Sequence, residues 1–118
     1  MMTAMPYSDW PLILILDDDV GRLELLQQRF YQHGYQTDTS GAVDLEARAG
    51  PTTRLVLAYL PVPPKRLTAI GVPVLVMDCP EARLGRSMGL ATVSHLSSFA
   101  GFDALLDRIG CLIGPGSK

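Results

Sequence analysis

The chain has 118 residues, 47% of them hydrophobic and 19% charged. That composition suits one compact domain with one core and excludes a disordered chain. The formal net charge is -2 with no long run of one sign, which leaves out the basic stripe of a nucleic-acid surface.

Pro11-Leu-Ile-Leu-Ile-Leu16 is a continuous apolar run that ends in three aspartates, Asp17 to Asp19. Unbroken rather than alternating apolarity predicts a strand buried on both faces, as in a parallel sheet. Asp19 is placed to cap a helix, because a short carboxylate accepts the free N–H groups of a first turn. Val20, Leu23, Leu26 and Phe30 keep helical spacing, and Gly34 is the stop signal. Tyr35 to Thr39 alternates and reads as a second strand. Ala42 to Ala49 predicts a short helix closed by Gly50-Pro51. Leu55 to Leu60 reads as a third strand, broken by Pro61, Pro63 and Pro64. Lys65 to Ile70 has room for only about two helical turns. Val72 to Met77 predicts a fourth strand. Glu81 to Met88 predicts a short helix opened by Pro80, which fits the first helical position. Ala91 to Leu96 reads as a fifth strand. Phe102, Leu105, Leu106, Ile109 and Leu112 mark an amphipathic final helix. Residues 1–113 thus read as one domain. Gly114 to Lys118 reads as a linker-like tail with room to lead to an output domain.

Five strands alternating with short helices predict an α/β fold: a doubly wound five-stranded parallel sheet with right-handed crossovers. Function in such sheets gathers at the strand C-termini, which directs attention to Asp17, Asp18, Tyr59, Asp78, Ser97 and Ser98. No glycine-rich phosphate loop follows any strand, and no G-x-S-x-G elbow occurs, so neither an enzyme nor a cofactor is expected. Cys79 and Cys111 form no C-x-x-C pair. With only His33 and His95 beside them, a four-ligand zinc site is not expected either. A reducing cytoplasm is the simplest compartment. Met1 to Asp9 has no basic n-region, so no signal peptide is expected, and the Pro11–Leu16 run is too short to span a bilayer.

Along nearly its whole length the sequence resembles the receiver domains of bacterial two-component response regulators. Leu12-Ile-Leu-Ile-Leu-Asp-Asp-Asp19 is similar to the family's first strand and magnesium-binding acidic pair, which falls on Asp17 and Asp18. Leu55 to Leu60 with Val62-Pro63 resembles the third strand and its Met-Pro loop, and Pro73 to Met77 the fourth strand. Ala91 to Leu96 and Phe102 to Leu106 resemble the last strand and helix. The resemblance implies the strand order 2-1-3-4-5, with a shortened third helix. It breaks at the chemistry. The phosphoacceptor aspartate falls on Tyr59, whatever the register, since no Asp or Glu lies between Glu46 and Asp78. The family's lysine falls on Ser98, and no Lys lies between Lys65 and Lys118. The Ser/Thr after the fourth strand falls on Asp78, and the switch aromatic on His95. Phosphoryl transfer needs an in-line oxygen nucleophile, a bridging metal and a cation on the developing charge. Tyr59 cannot form an acyl phosphate, Ser98 carries no ammonium, and Asp78 repels a phosphoryl group. Phosphotransfer is therefore not expected.

Two readings of the acidic edge follow. Asp17, Asp18 and Asp78 could form a remnant divalent-cation site, since hard cations want several oxygens. The favoured alternative has Asp19 capping the helix, Asp78 capping the loop before Pro80, and Arg54, Arg66 or Arg83 neutralising the rest. Tyr59 reads as a cover over a strand end rather than a regulatory hydroxyl, His95 as a half-buried strand residue rather than a pH-sensitive contact, and Cys79 as inert. The expected function is that of a phosphorylation-independent pseudo-receiver: a regulatory protein–protein interaction or dimerisation module, in the setting of a transcriptional or signalling regulator. Its expected partner is another protein or a second copy, not nucleic acid or membrane. By the resemblance, the interaction surface would carry Arg83, Arg86, Met88, His95 and Arg108. The rival reading is a small-ligand or divalent-cation sensor using Asp17, Asp18 and Asp78.

Overall fold

A computed structural model describes residues 9–41, 43–60, 62, 64–77, 93–96 and 101–117. Its elements are β1 (Leu12–Leu16), α1 (Val20–Gln32), β2 (Gln36–Ser40), α2 (Leu45–Arg48), β3 (Thr53–Ala58), α3 (Pro64–Ala69), β4 (Val74–Met77), β5 (Val93–Leu96) and α4 (Gly101–Ile113). The first four strands form a parallel sheet in the order β2-β1-β3-β4. Residues 93–96 run parallel beside β4, with Val93 opposite Val74 and Leu96 opposite Met77. The stretch predicted as a helix at Glu81 to Met88 lies outside the described residues.

The central strands are the ones with continuous apolar sequence. Ile13 to Leu16 of β1 and Leu55 to Ala58 of β3 are buried throughout, because helices cover the sheet on both faces and leave no solvent side for polar residues. Their alternate side chains feed two cores. One face gathers Ile13, Ile15, Leu55, Leu57 and Leu75 under Leu26 and Phe30 of α1 and Leu105 and Ile109 of α4. The other gathers Leu14, Leu16, Val56, Ala58 and Val74 around Leu45 of α2. Of the apolar residues predicted to face the core from the last helix, Leu105 and Ile109 are buried, while Phe102, Leu106 and Leu112 pack at its margin.

Several predicted boundaries move. β3 starts at Thr53 and ends at Ala58, so Tyr59 lies just past the strand rather than inside it. α2 is a single turn, Leu45–Arg48, not the whole of Ala42 to Ala49. Tyr35 is not the first residue of β2. It sits in the turn out of α1, buried with Phe30. That turn is a Schellman closure: Tyr35 N–H donates to the Phe30 carbonyl at 3.0 Å and Gly34 N–H to that of Tyr31 at 3.1 Å. Gly34 takes φ 86°, the left-handed conformation that glycine adopts without a Cβ penalty. No helix among the described residues is long and apolar enough to cross a membrane.

Candidate functional site at the acidic end of the sheet

β1 and β3 are neighbours, with Leu16 opposite Ala58. The residues that leave their C-terminal ends, Asp17 and Tyr59, are therefore brought side by side. The Tyr59 N–H donates to the Leu16 carbonyl at 2.8 Å, which carries the pairing one residue beyond the strand and fixes Tyr59 against the start of the β1–α1 turn.

The three aspartates have different fates. Asp19 is the N-cap of α1, and its carboxylate accepts from the Arg22 N–H at 3.1 Å. Asp18 is exposed. Asp17 is 5% exposed, and its side chain is fully engaged. Its Oδ1 accepts from the N–H groups of Asp18 at 2.8 Å and Asp19 at 3.1 Å. The Arg22 guanidinium then grips the carboxylate with two prongs, Nε to Oδ2 at 2.5 Å and Nη2 to Oδ1 at 2.7 Å. The same guanidinium lies over the Tyr59 ring, 4.3 Å from its centre, so the planar cation is held between a carboxylate and an aromatic face.

The electrostatics follow from this packing. Burial alone would raise the Asp17 pKa, but the Arg22 hydrogen bonds and charge, with the N–H groups of Asp19 and Asp18, together hold it below the usual carboxylate value. The Asp17 hydrogen bond pushes the Arg22 pKa further up against its burial. Burial raises the Tyr59 phenol, which the Arg22 charge opposes and the Asp17 charge assists. At neutral pH the cluster is a carboxylate, a guanidinium and a neutral phenol.

The neutralising residue is therefore Arg22, which the sequence reading did not single out. Arg54 stands exposed on β3. Arg66 is engaged elsewhere, gripping Glu46 with two bonds of 2.7 and 2.6 Å that tie α3 to α2. A signal for Arg22 did exist: a basic residue in the first turn of a helix opposes the helix dipole, and it stands five residues after a buried aspartate. Tyr59 lies half-buried against the α1–α4 core. No group of three or more His, Cys, Asp or Glu among the described residues is arranged to hold a metal ion. Asp78, Ser98, Arg83, Arg86 and Met88 lie outside the described residues. His95 is on β5, opposite Val76. Arg108 is half-buried on α4, and Cys111 on the same helix is exposed. Comparison with family models, with curated proteins and with solved structures finds no match to this chain.

Proposed function

We propose that this chain is a pseudo-receiver: a five-stranded receiver-like domain that cannot be phosphorylated and that acts as a regulatory protein–protein interaction module. One observation carries the reading. Arg22 takes both carboxylate oxygens of Asp17, the residue on which the resemblance places a magnesium ligand. A cation competing for that carboxylate must break a bidentate charge-assisted pair and shed its own water, which magnesium does reluctantly. A guanidinium supplied by the chain thus replaces the metal, and Tyr59 supplies the cover where the phosphoacceptor would stand. The end of the sheet that switches in a receiver is fixed in one state here. The same occupation of Asp17 removes a ligand from the divalent-cation sensor reading. Parallel pairing of residues 93–96 beside β4 supports the five-strand order of this reading. The module's contacts are assigned to the surface around β5 and α4, including His95 and Arg108, and its partner to a protein or a second copy.

Incubation with acetyl phosphate and magnesium tests this, read by intact mass and by thermal melting. The expected result is an unchanged mass and a melting midpoint that magnesium does not shift, because only a ligand of the folded state stabilises it. A stoichiometric phosphate adduct on an aspartate would overturn the reading. So would a micromolar magnesium site abolished by Asp18→Asn.

A further inference from the structure

The chain's last described residues do not behave as the linker that their Gly-Pro-Gly-Ser composition predicts. Gly114 closes α4, its N–H donating to the Gly110 carbonyl at 2.9 Å and its φ at 89°. The tail then turns back onto the α1–β2 turn. The buried Tyr35 hydroxyl donates to the Gly114 carbonyl at 2.9 Å. The Ser117 N–H donates to the Gly34 carbonyl at 3.0 Å. Gly116 passes so close to the His33 backbone that a Cβ there would lie 1.9 Å from the His33 carbonyl oxygen, a distance no side chain tolerates. Beneath lies an open cleft of about 390 Å³, walled by His33, Tyr35, Leu106, Cys111, Pro115 and Gly116.

We propose that Gly114–Ser117 is a releasable clasp that forms one wall of this cleft and fastens the end of α4 to the α1–β2 turn. The geometry calls for glycine at position 116, because the backbone must approach another backbone closely. It calls for a tyrosine at 35, because a ring buried in the core must also carry a hydroxyl that reaches the Gly114 carbonyl. The clasp is releasable because few groups hold it. Pro115 and Ser117 are exposed, and Gly114 and Gly116 have no side chain to bury, so the closed state draws little on side-chain burial and mainly on hydrogen bonds. Elements held in that way open locally, well below the free energy of global unfolding. Opening would bare the Tyr35 hydroxyl and one wall of the cleft, without disturbing the sheet. The clasp lies where β2 begins, at the opposite end of the strands from Asp17 and Tyr59, and it does not depend on the function proposed above.

Residue-resolved amide exchange by NMR on the full chain tests this. In the unaltered protein the Ser117 amide should exchange about tenfold more slowly than an unstructured amide, the scale of one hydrogen bond. It should still exchange far faster than the Leu57 amide in the sheet. Gly116→Val should bring Ser117 to the unstructured rate while Leu57 stays protected. Tyr35→Phe, which keeps the ring and removes only the hydroxyl, should speed Ser117 severalfold. An unprotected Ser117 amide in the unaltered protein would overturn the proposal, as would protection that survives Gly116→Val. Exchange of Ser117 in step with Leu57 would also overturn it, since the tail would then be a fixed part of the core.

Discussion

The two faces of the sheet are built differently, although β1 and β3 supply both with similar aliphatic side chains. One face is covered by two helices of 13 residues, α1 and α4, and holds the aromatic cluster of Phe30, Tyr35 and Phe102, with ring centres 5.4 to 6.0 Å apart. Among the described residues the other is covered by α2, of 4 residues, and α3, of 6, around an aliphatic core. Among the described residues each face also carries one two-pronged arginine–carboxylate pair. On the thick face the pair is Arg22 with Asp17, whose carboxylate is fully shielded. On the thin face it is Arg66 with Glu46, in which both partners reach solvent. The same interaction type therefore occurs at two depths in one molecule. Depth, rather than bond length, should decide what each contributes.

The largest effect is expected where the thick core is emptied. Phe30 is fully buried and touches both Tyr35 and Phe102, so Phe30→Ala should cost about 3–5 kcal/mol. Leu45→Ala, on the thin face, removes a side chain that is just as buried, but from a single helical turn that can settle into the space. It should fall at the lower end, about 2 kcal/mol. Urea denaturation of both variants makes the comparison. Equal losses would mean that the short helices are as rigidly held as the long ones, and the contrast between the faces would fail.

Next comes the buried pair. Arg22→Met keeps the stem and removes the guanidinium, leaving the Asp17 carboxylate with only the two backbone N–H groups. The expected cost is about 2–3 kcal/mol. Asp17→Asn should cost less, about 1–2 kcal/mol, because Arg22 is partly exposed and can turn to water. The pH dependence has a definite sign. Asp17 is held below its unfolded value of 3.8, so its contribution is present above that value and is lost as pH falls through the folded pKa. In Arg22→Met the opposing burial is no longer outweighed by the guanidinium, so the Asp17 carboxyl should titrate at higher pH. Carboxyl-carbon NMR across the acid range reads this directly. An Asp17 titration unmoved by Arg22→Met would show that the backbone N–H groups, not the arginine, hold the charge.

The contrast between the faces also marks what the sequence made legible. β1, β3 and β4 were readable because burial on both faces demands an uninterrupted apolar run. The Asp19 cap and the Gly34 stop were readable because their chemistry is local. Arg22 was not, because its partner is chosen by the path of the chain around the end of β1. Arginines at 54, 66 and 83 looked equally available. Tyr35 alternates with Thr37 and so read as a strand residue. Its position as a core and clasp residue depends on where the tail returns, which composition cannot convey. Gly114 to Ser117 read as a linker because glycine permits disorder and close backbone approach alike.

The smallest effect is expected at the exposed pair. Arg66 holds both Glu46 oxygens and brings the carboxyl down to about 2 from 4.5, with little opposition from desolvation because both groups face water. By sign, any stability this gives is present above pH 4.5 and fades as pH falls toward 2. Its size is another matter. Water competes for every bond in the pair, two long side chains must be held in one geometry, and at physiological ionic strength charges are screened over about 8 Å. Glu46→Gln should therefore leave the melting midpoint at pH 7 unchanged within error, in low and high salt alike, even though the two pairs have nearly the same bond lengths. What it should change is local: amide exchange in α2, a single turn tied to α3 partly through this pair, should quicken while β1 and β3 stay protected. A midpoint that drops as far as in Arg22→Met would place the two pairs on equal terms. The thin face would then rest on its surface charges rather than on Leu45 and the aliphatic side chains beneath it.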